Sequence, residues 1–267
     1  DLFNFSLCAF PNFCCSSITT KPRFLKVTSK TECVPTSISI IPFLALSIIS
    51  FLSFAFVFPG QGSQTVGMMA AYGDSPVVRA TFDEASSALG DDLWAKVADG
   101  PAELLSQTVN TQPVMLTAGI AAWRLWLEKG GKLPSVVAGH SLGEYSALVA
   151  AGALDFQEAV KLVRLRAQAM QEAVPAGEGA MAALLGLDEP AAAEACAEAA
   201  QGEVVSAANL NSPGQIVIAG ARAAVERAMA VAKTKGAKRA VLLPVSAPFH
   251  CALMKPAAER LALRLAE

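Results

Sequence analysis

Histidine is scarce in this sequence, with only His140 and His250 among 267 residues. Any imidazole chemistry must come from one of those two positions. Cysteine says little more: four of six (Cys8, Cys14, Cys15, Cys33) fall in the first 53 residues, and only Cys196 and Cys251 lie beyond them. No C-x-x-C pair occurs, which excludes the usual zinc and dithiol-redox spacings, and two cysteines make no disulfide framework. All six read as incidental, and neither a metal nor a cofactor is implied. Charge is thin, at 16% of residues with a formal net charge of −2, which argues against nucleic acid as a partner. With 53% hydrophobic residues and a mean hydropathy of +0.43, the chain is not disordered and can bury the core of one large or two modest domains.

The first 53 residues differ in kind from the rest. They hold two acids (Asp1, Glu32) and four bases (Lys21, Arg23, Lys26, Lys30) among many Ser, Thr and Phe. Residues 54–267 carry the other 17 bases and 21 acids, a net charge of −4. From Ile38 to Phe58 the chain runs 21 residues without a charge, which meets the length of a membrane-spanning helix. The competing reading makes Phe54–Phe58 a buried parallel strand that opens a domain, so membrane contact is expected only if 38–58 is a real anchor. An acid-poor, Ser/Thr-rich start also suits an organelle transit segment, although Arg is scarce and the chain begins at Asp1. A fragment or a chimeric reading frame accounts for it equally well. Residues 1–53 are therefore set aside as an unrelated or targeting extension. The expected location is cytoplasmic, or plastid or mitochondrion if 1–53 is a transit segment.

From Phe54 onward, short apolar runs alternate with longer helical patterns, as in a parallel sheet covered by helices. Strands are expected at Phe54–Phe58 and Ser135–Ala138. Helices are expected at Val77–Leu89, Pro101–Gln107, Gln112–Gly130, Glu144–Ala151 and Phe156–Val174. The middle segment has another order: strand Ala180–Leu187, helix Pro190–Ala200, strand Val204–Leu210, a turn at 211–214, strand Gln215–Ala219, helix Ala221–Lys235 and strand Arg239–Val245. That is β-α-β-β-α-β, the ferredoxin-like order. The fold class is thus α/β, with a parallel-sheet, hydrolase-like large domain at 54–175 and 247–267. A ferredoxin-like small domain, 176–246, is inserted in it.

Gly139-x-Ser141-x-Gly143 between a strand and a helix is the nucleophile-elbow pattern. A serine at so sharp a turn needs small neighbours, and its hydroxyl then stands at a helix N-terminus, where free N–H groups favour developing negative charge. An ordinary Gly-rich turn would show the same five letters, and only the strand-to-helix placement separates the two. Serine needs a base. His140 sits beside Ser141 inside the turn and reads as structural, whereas His250, 109 residues after Ser141 in a loop, suits a base delivered from elsewhere in the chain. Gln61 follows the first strand, where such sheets place their binding crevice, and its N–H with that of Leu142 forms a candidate oxyanion hole. Arg164 and Arg166 share a helix but not a face, and the residues alone give Arg166 no special status.

Five ordered motifs now stand together: Phe58-Pro59-Gly60-Gln61-Gly62-Ser63-Gln64, Thr111-Gln112-Pro113, Gly139-His140-Ser141-Leu142-Gly143-Glu144, Asn211-Ser212-Pro213-Gly214-Gln215 and Phe249-His250. Over 54–267 the chain resembles the malonyl-CoA:acyl carrier protein transacylases of bacterial-type fatty-acid synthesis. The resemblance implies that Ser141 takes the malonyl group from malonyl-CoA with His250 as base. It further implies that Gln61 and Leu142 hold the oxyanion, that Arg166 binds the malonyl carboxylate, that Asn211 contacts substrate, and that acyl carrier protein collects the group. Phe249 resembles the malonyl-selective pattern rather than the methylmalonyl-selective one. The family continues for several tens of residues past the position of Glu267, with further strands and the group that orients the histidine. The expectation is that a chain truncated there leaves apolar core open and is poorly folded or inactive.

Two other readings use the same residues. An α/β serine hydrolase needs an acid between serine and histidine, and Asp155 and Asp188 lie there. A non-enzymatic remnant would bind CoA or carrier protein without turnover. The basic group Lys233, Lys235, Lys238 and Arg239 suits either an acidic partner or a solvated helix end.

Overall fold

The computed structural model describes residues 54–266 together with two short strands, β1 (Ser16–Thr19) and β2 (Phe24–Leu25). Their chain divides into two compact units, one of β1, β2, 54–106 and 110–163, the other of 107–109 and 164–266. Residues 164–175 and 247–266 thus group with the β-α-β-β-α-β segment, not with the large domain expected to hold them.

In the first unit, β3 (Ala55–Phe58) pairs in parallel with β4 (Val136–His140), in a register that sets Ala55 against Val136 and Phe58 against Gly139. The last four residues of the apolar 38–58 run are therefore strand, and 38–53 lie outside the described residues. No helix among the described residues is long and apolar enough to cross a membrane. On its other side β4 pairs antiparallel with β1, which gives the order β2-β1-β4-β3. The sheet is mixed, with part of the extension in it.

Helices α1 (Pro76–Leu89), α2 (Leu93–Ala98) and α3 (Ala102–Leu105) follow β3. α1 buries Val78, Thr81, Phe82 and Ala85 at helical spacing, starts on a proline, and stops at Gly90 with a left-handed φ of 63°. α2 was not expected, because its six residues are too few to show a period; Asp92 caps it by accepting from the Ala95 N–H at 2.9 Å. α4 (Thr108–Glu128) begins before the expected Gln112 and carries Pro113 inside it. The side chains of Asn110 and Thr111 bond the carbonyls of Leu104 and Leu105 at 2.9 and 2.6 Å, which anchors the early turn. Thr117 bonds the Pro113 carbonyl at 2.8 Å. β4 leads into α5 (Gly143–Ala150), and Phe58, Trp123, Val137, Ala147 and Ala151 form one core cluster beneath them. Burying a side chain such as Phe58 or Val137 there contributes about 1.5–3 kcal/mol. α6 (Phe156–Glu172) runs across the boundary between the units.

The second unit is a four-stranded sheet of β5 (Gly179–Leu185), β6 (Val205–Ser212), β7 (Gln215–Ala221) and β8 (Arg239–Leu242), in the order β6-β7-β5-β8 with every neighbouring pair antiparallel. That is the ferredoxin-like arrangement. Strand alternation sorts the side chains. Ala180, Ala182, Leu184, Ile216 and Ile218 pack with α7 (Glu189–Ala200) and α8 (Arg222–Thr234). Met181, Val217 and Ala219 join the other cluster, with Ala169, Met170 and Val174 and with Ala247, Phe249, Cys251 and Met254. The loop carrying His250 is thus embedded against the sheet. After it, α9 (Lys255–Leu265) buries Ala257 and Leu261.

Candidate active site

Ser141 occupies the turn between β4 and α5, and its backbone is left-handed, with φ of 52°. For a residue with a side chain this costs about 1–2 kcal/mol, so the surroundings must impose it. They do so through glycine. A Cβ on Gly139 would overlap the backbone of Gly143 and Glu144, and one on Gly143 would overlap the Phe58 carbonyl. α5 takes its first bonds from the elbow itself, with the Glu144 N–H on the Ser141 carbonyl at 3.2 Å and that of Tyr145 on Leu142 at 3.0 Å. Leu142 is buried at the N-cap position, so its N–H belongs to the end of the helix where negative charge is favoured.

Gln61 lies at the same carboxyl end, because β3 and β4 are parallel neighbours and Phe58 stands opposite Gly139. A Cβ on Gly60 would come within 2.7 Å of the His140 carbonyl, so this loop rests on the elbow. The loop is stitched by Gly62 N–H to the Gln64 side chain at 2.8 Å and by the Ser63 hydroxyl to the Gly60 carbonyl at 3.2 Å. The first unit therefore brings Gln61, Ser141 and Leu142 to one end of one strand pair.

The other three expected residues belong to the second unit. His250 is half-buried between buried Phe249 and Cys251, and its φ is 60°. Among the described residues only Ser141, Gln201 and His250 combine a side chain with a positive φ. Gln201 caps α7; the other two are the expected nucleophile and base. Arg166 is buried on α6, at 4% exposure, and Arg164 is half-buried. Burial separates two arginines that the sequence could not, since a guanidinium taken out of water needs a hydrogen-bonding or anionic partner. Asn211 is exposed on β6 at a register irregularity between Leu210 and Ser212, so the strand takes the first two residues of the expected 211–214 turn and leaves 213–214 as the turn.

Asp155 and Asp188 serve as helix caps. Asp155 accepts from the N–H groups of Gln157 and Glu158 at 2.9 and 3.1 Å, and Asp188 accepts from Ala191 at 2.9 Å. Capping explains both acids without a catalytic triad. Glu144, 3% exposed in the first turn of α5, stands where the helix dipole favours an acid, and its place just after the elbow is the one sequence signal it carries. Of the basic group, Lys235 is engaged with Glu194 and Glu198 at 3.4 and 3.5 Å. Among the described residues no group of three or more His, Cys, Asp or Glu could hold a metal ion.

His140 remains exposed on one side, but the packed side of its ring is desolvated enough to hold its pKa below 6.5. The unfolded chain then binds a proton more readily than the folded one. The associated stability is complete above about pH 6.5 and is lost as the pH falls below it. Melting curves at pH 7.5 and 5.5 should show a larger drop for the wild type than for His140→Asn; equal drops would remove this contribution.

The acyl transferase domain model matches residues 55–267. The malonyl CoA-acyl carrier protein transacylase of Escherichia coli (strain K12) is 63% identical over 215 residues, which cover 80% of this chain and 70% of that protein. The crystal structure of an acyl carrier protein S-malonyltransferase from Vibrio cholerae is similar at a TM-score of 0.78 and 63% identity, over 80% of this chain and 70% of that one. A malonyl-transacylase in complex with a type II PKS acyl-carrier protein is similar at 0.79 and 60%, over 80% and 69%.

Proposed function

The chain belongs to the acyl transferase domain family, and from that premise we propose that it moves the malonyl group of malonyl-CoA to the phosphopantetheine thiol of acyl carrier protein, in fatty-acid biosynthesis. The observation that carries this reading is the left-handed Ser141 at a glycine-packed strand-to-helix turn, within a chain 63% identical to a transacylase of that name.

In the proposed mechanism the Ser141 hydroxyl attacks the thioester carbonyl while His250 takes its proton. The oxyanion is received by the Gln61 and Leu142 N–H groups, each such donor being worth about 10²–10³ in rate. Collapse breaks the C–S bond, and the CoA thiolate leaves with the proton returned by His250. The malonyl ester on Ser141 is then attacked by the carrier's thiol, again with His250 as base, and Ser141 is released as the free hydroxyl. Arg166 offers the malonyl carboxylate a planar fork of donors, and Asn211 contacts the substrate. None of these steps requires a cofactor. The bacterial origin of the relatives supports a cytoplasmic setting.

Steady-state rates with malonyl-CoA and holo-carrier protein both varied test the proposal. A covalent malonyl intermediate gives parallel lines in the double-reciprocal plot. Intersecting lines would indicate direct transfer, and no transfer at all would favour a binding protein.

A further inference from the structure

We propose that Cys251 is a positioning residue for His250, its thiol tying together the two sides of the turn that presents the imidazole. The inference rests on the reading of His250 as the base. The Cys251 Sγ donates to the Pro248 carbonyl at 3.1 Å. The side chain just after His250 is therefore tied back to the carbonyl two residues before it, across the histidine.

The thiol has nowhere else to go. Cys251 is 0% exposed and packs in the cluster of Met181, Ala219, Ala247 and Phe249. Burial pushes it up to about 11 against the opposing pull of the Leu253 N–H, so at neutral pH it keeps the proton it donates. His250 needs such a restraint, because a side-chain-bearing residue at φ of 60° relaxes to the ordinary region unless its neighbours prevent it. Pro248 supplies part of the restraint: its ring is seated on Gly179, where a Cβ would overlap it. The Phe249 N–H bonds the Ala247 carbonyl at 3.0 Å, and the Met254 N–H bonds that of Cys251 at 2.9 Å. The thiol closes the remaining span, across His250 itself.

The test is the single-turnover rate of acylation by malonyl-CoA in the full chain, for wild type, Cys251→Ser, Cys251→Ala, Cys251→Val and His250→Ala. Serine keeps a donor, alanine removes it, and valine removes it while filling the space. Alanine and valine should slow acylation about five- to tenfold, the factor of one neutral hydrogen bond, with KM for malonyl-CoA unchanged. Serine should stay within about twofold of wild type, and His250→Ala should lose about 10²–10⁴. Wild-type rates in both the alanine and valine variants, or a serine variant as slow as either, would overturn the positioning role. A wild-type rate in His250→Ala would instead overturn the reading of His250 as base.

Discussion

Ser141→Ala should lower malonyl transfer by about six orders of magnitude, since removing the nucleophile of a covalent mechanism removes both half-reactions at once. The same position also carries a stability signature. Its φ of 52° penalises every residue with a Cβ and spares glycine. Ser141→Gly should be as inactive as Ser141→Ala yet more stable by about 1–2 kcal/mol. Transfer assays and melting curves on the pair separate a lost hydroxyl from a damaged turn. An active Ser141→Ala would end the covalent mechanism, and an alanine variant as stable as the glycine one would show that the turn is unstrained.

The second large effect belongs to Arg166. If its guanidinium pairs with the malonyl carboxylate, Arg166→Ala should lower malonyl loading by about 10- to 100-fold, the range of a hydrogen bond to a charged group. Acetyl loading should hold or rise, because acetyl-CoA has no carboxylate to lose. Arg166→Lys keeps the charge without the planar fork and should fall between. Malonyl loading that persists undiminished in the alanine variant, with no rise in acetyl loading, would remove the carboxylate role.

What the linear order revealed and what it hid divide along a physical line. Local patterns were readable: the helix expected over Val77–Leu89 and the glycines flanking Ser141 act within a few residues, whereas Asp155 and Asp188, open to reading as catalytic acids, are helix caps. Tertiary outcomes were not. Nothing in Leu162-Val163-Arg164-Leu165-Arg166 says which arginine is buried, because that depends on what α6 packs against. The helix expected from Gln112 starts earlier, because side-chain bonds from Asn110 and Thr111 to α3 carry it back to Thr108. Counting cysteines made Cys251 incidental, since its bond to Pro248 exists only once the turn is formed. The two short strands of the extension escaped because no apolar alternation marks them.

The central claim is a malonyl ester on one serine. Incubating the chain with malonyl-CoA, digesting it and mapping the modified peptide by mass spectrometry addresses that claim directly, before and after addition of holo-carrier protein. A single malonyl adduct on Ser141 is expected, disappearing as malonyl-carrier protein accumulates. An adduct on another residue, or transfer to the carrier with Ser141 never modified, would contradict it.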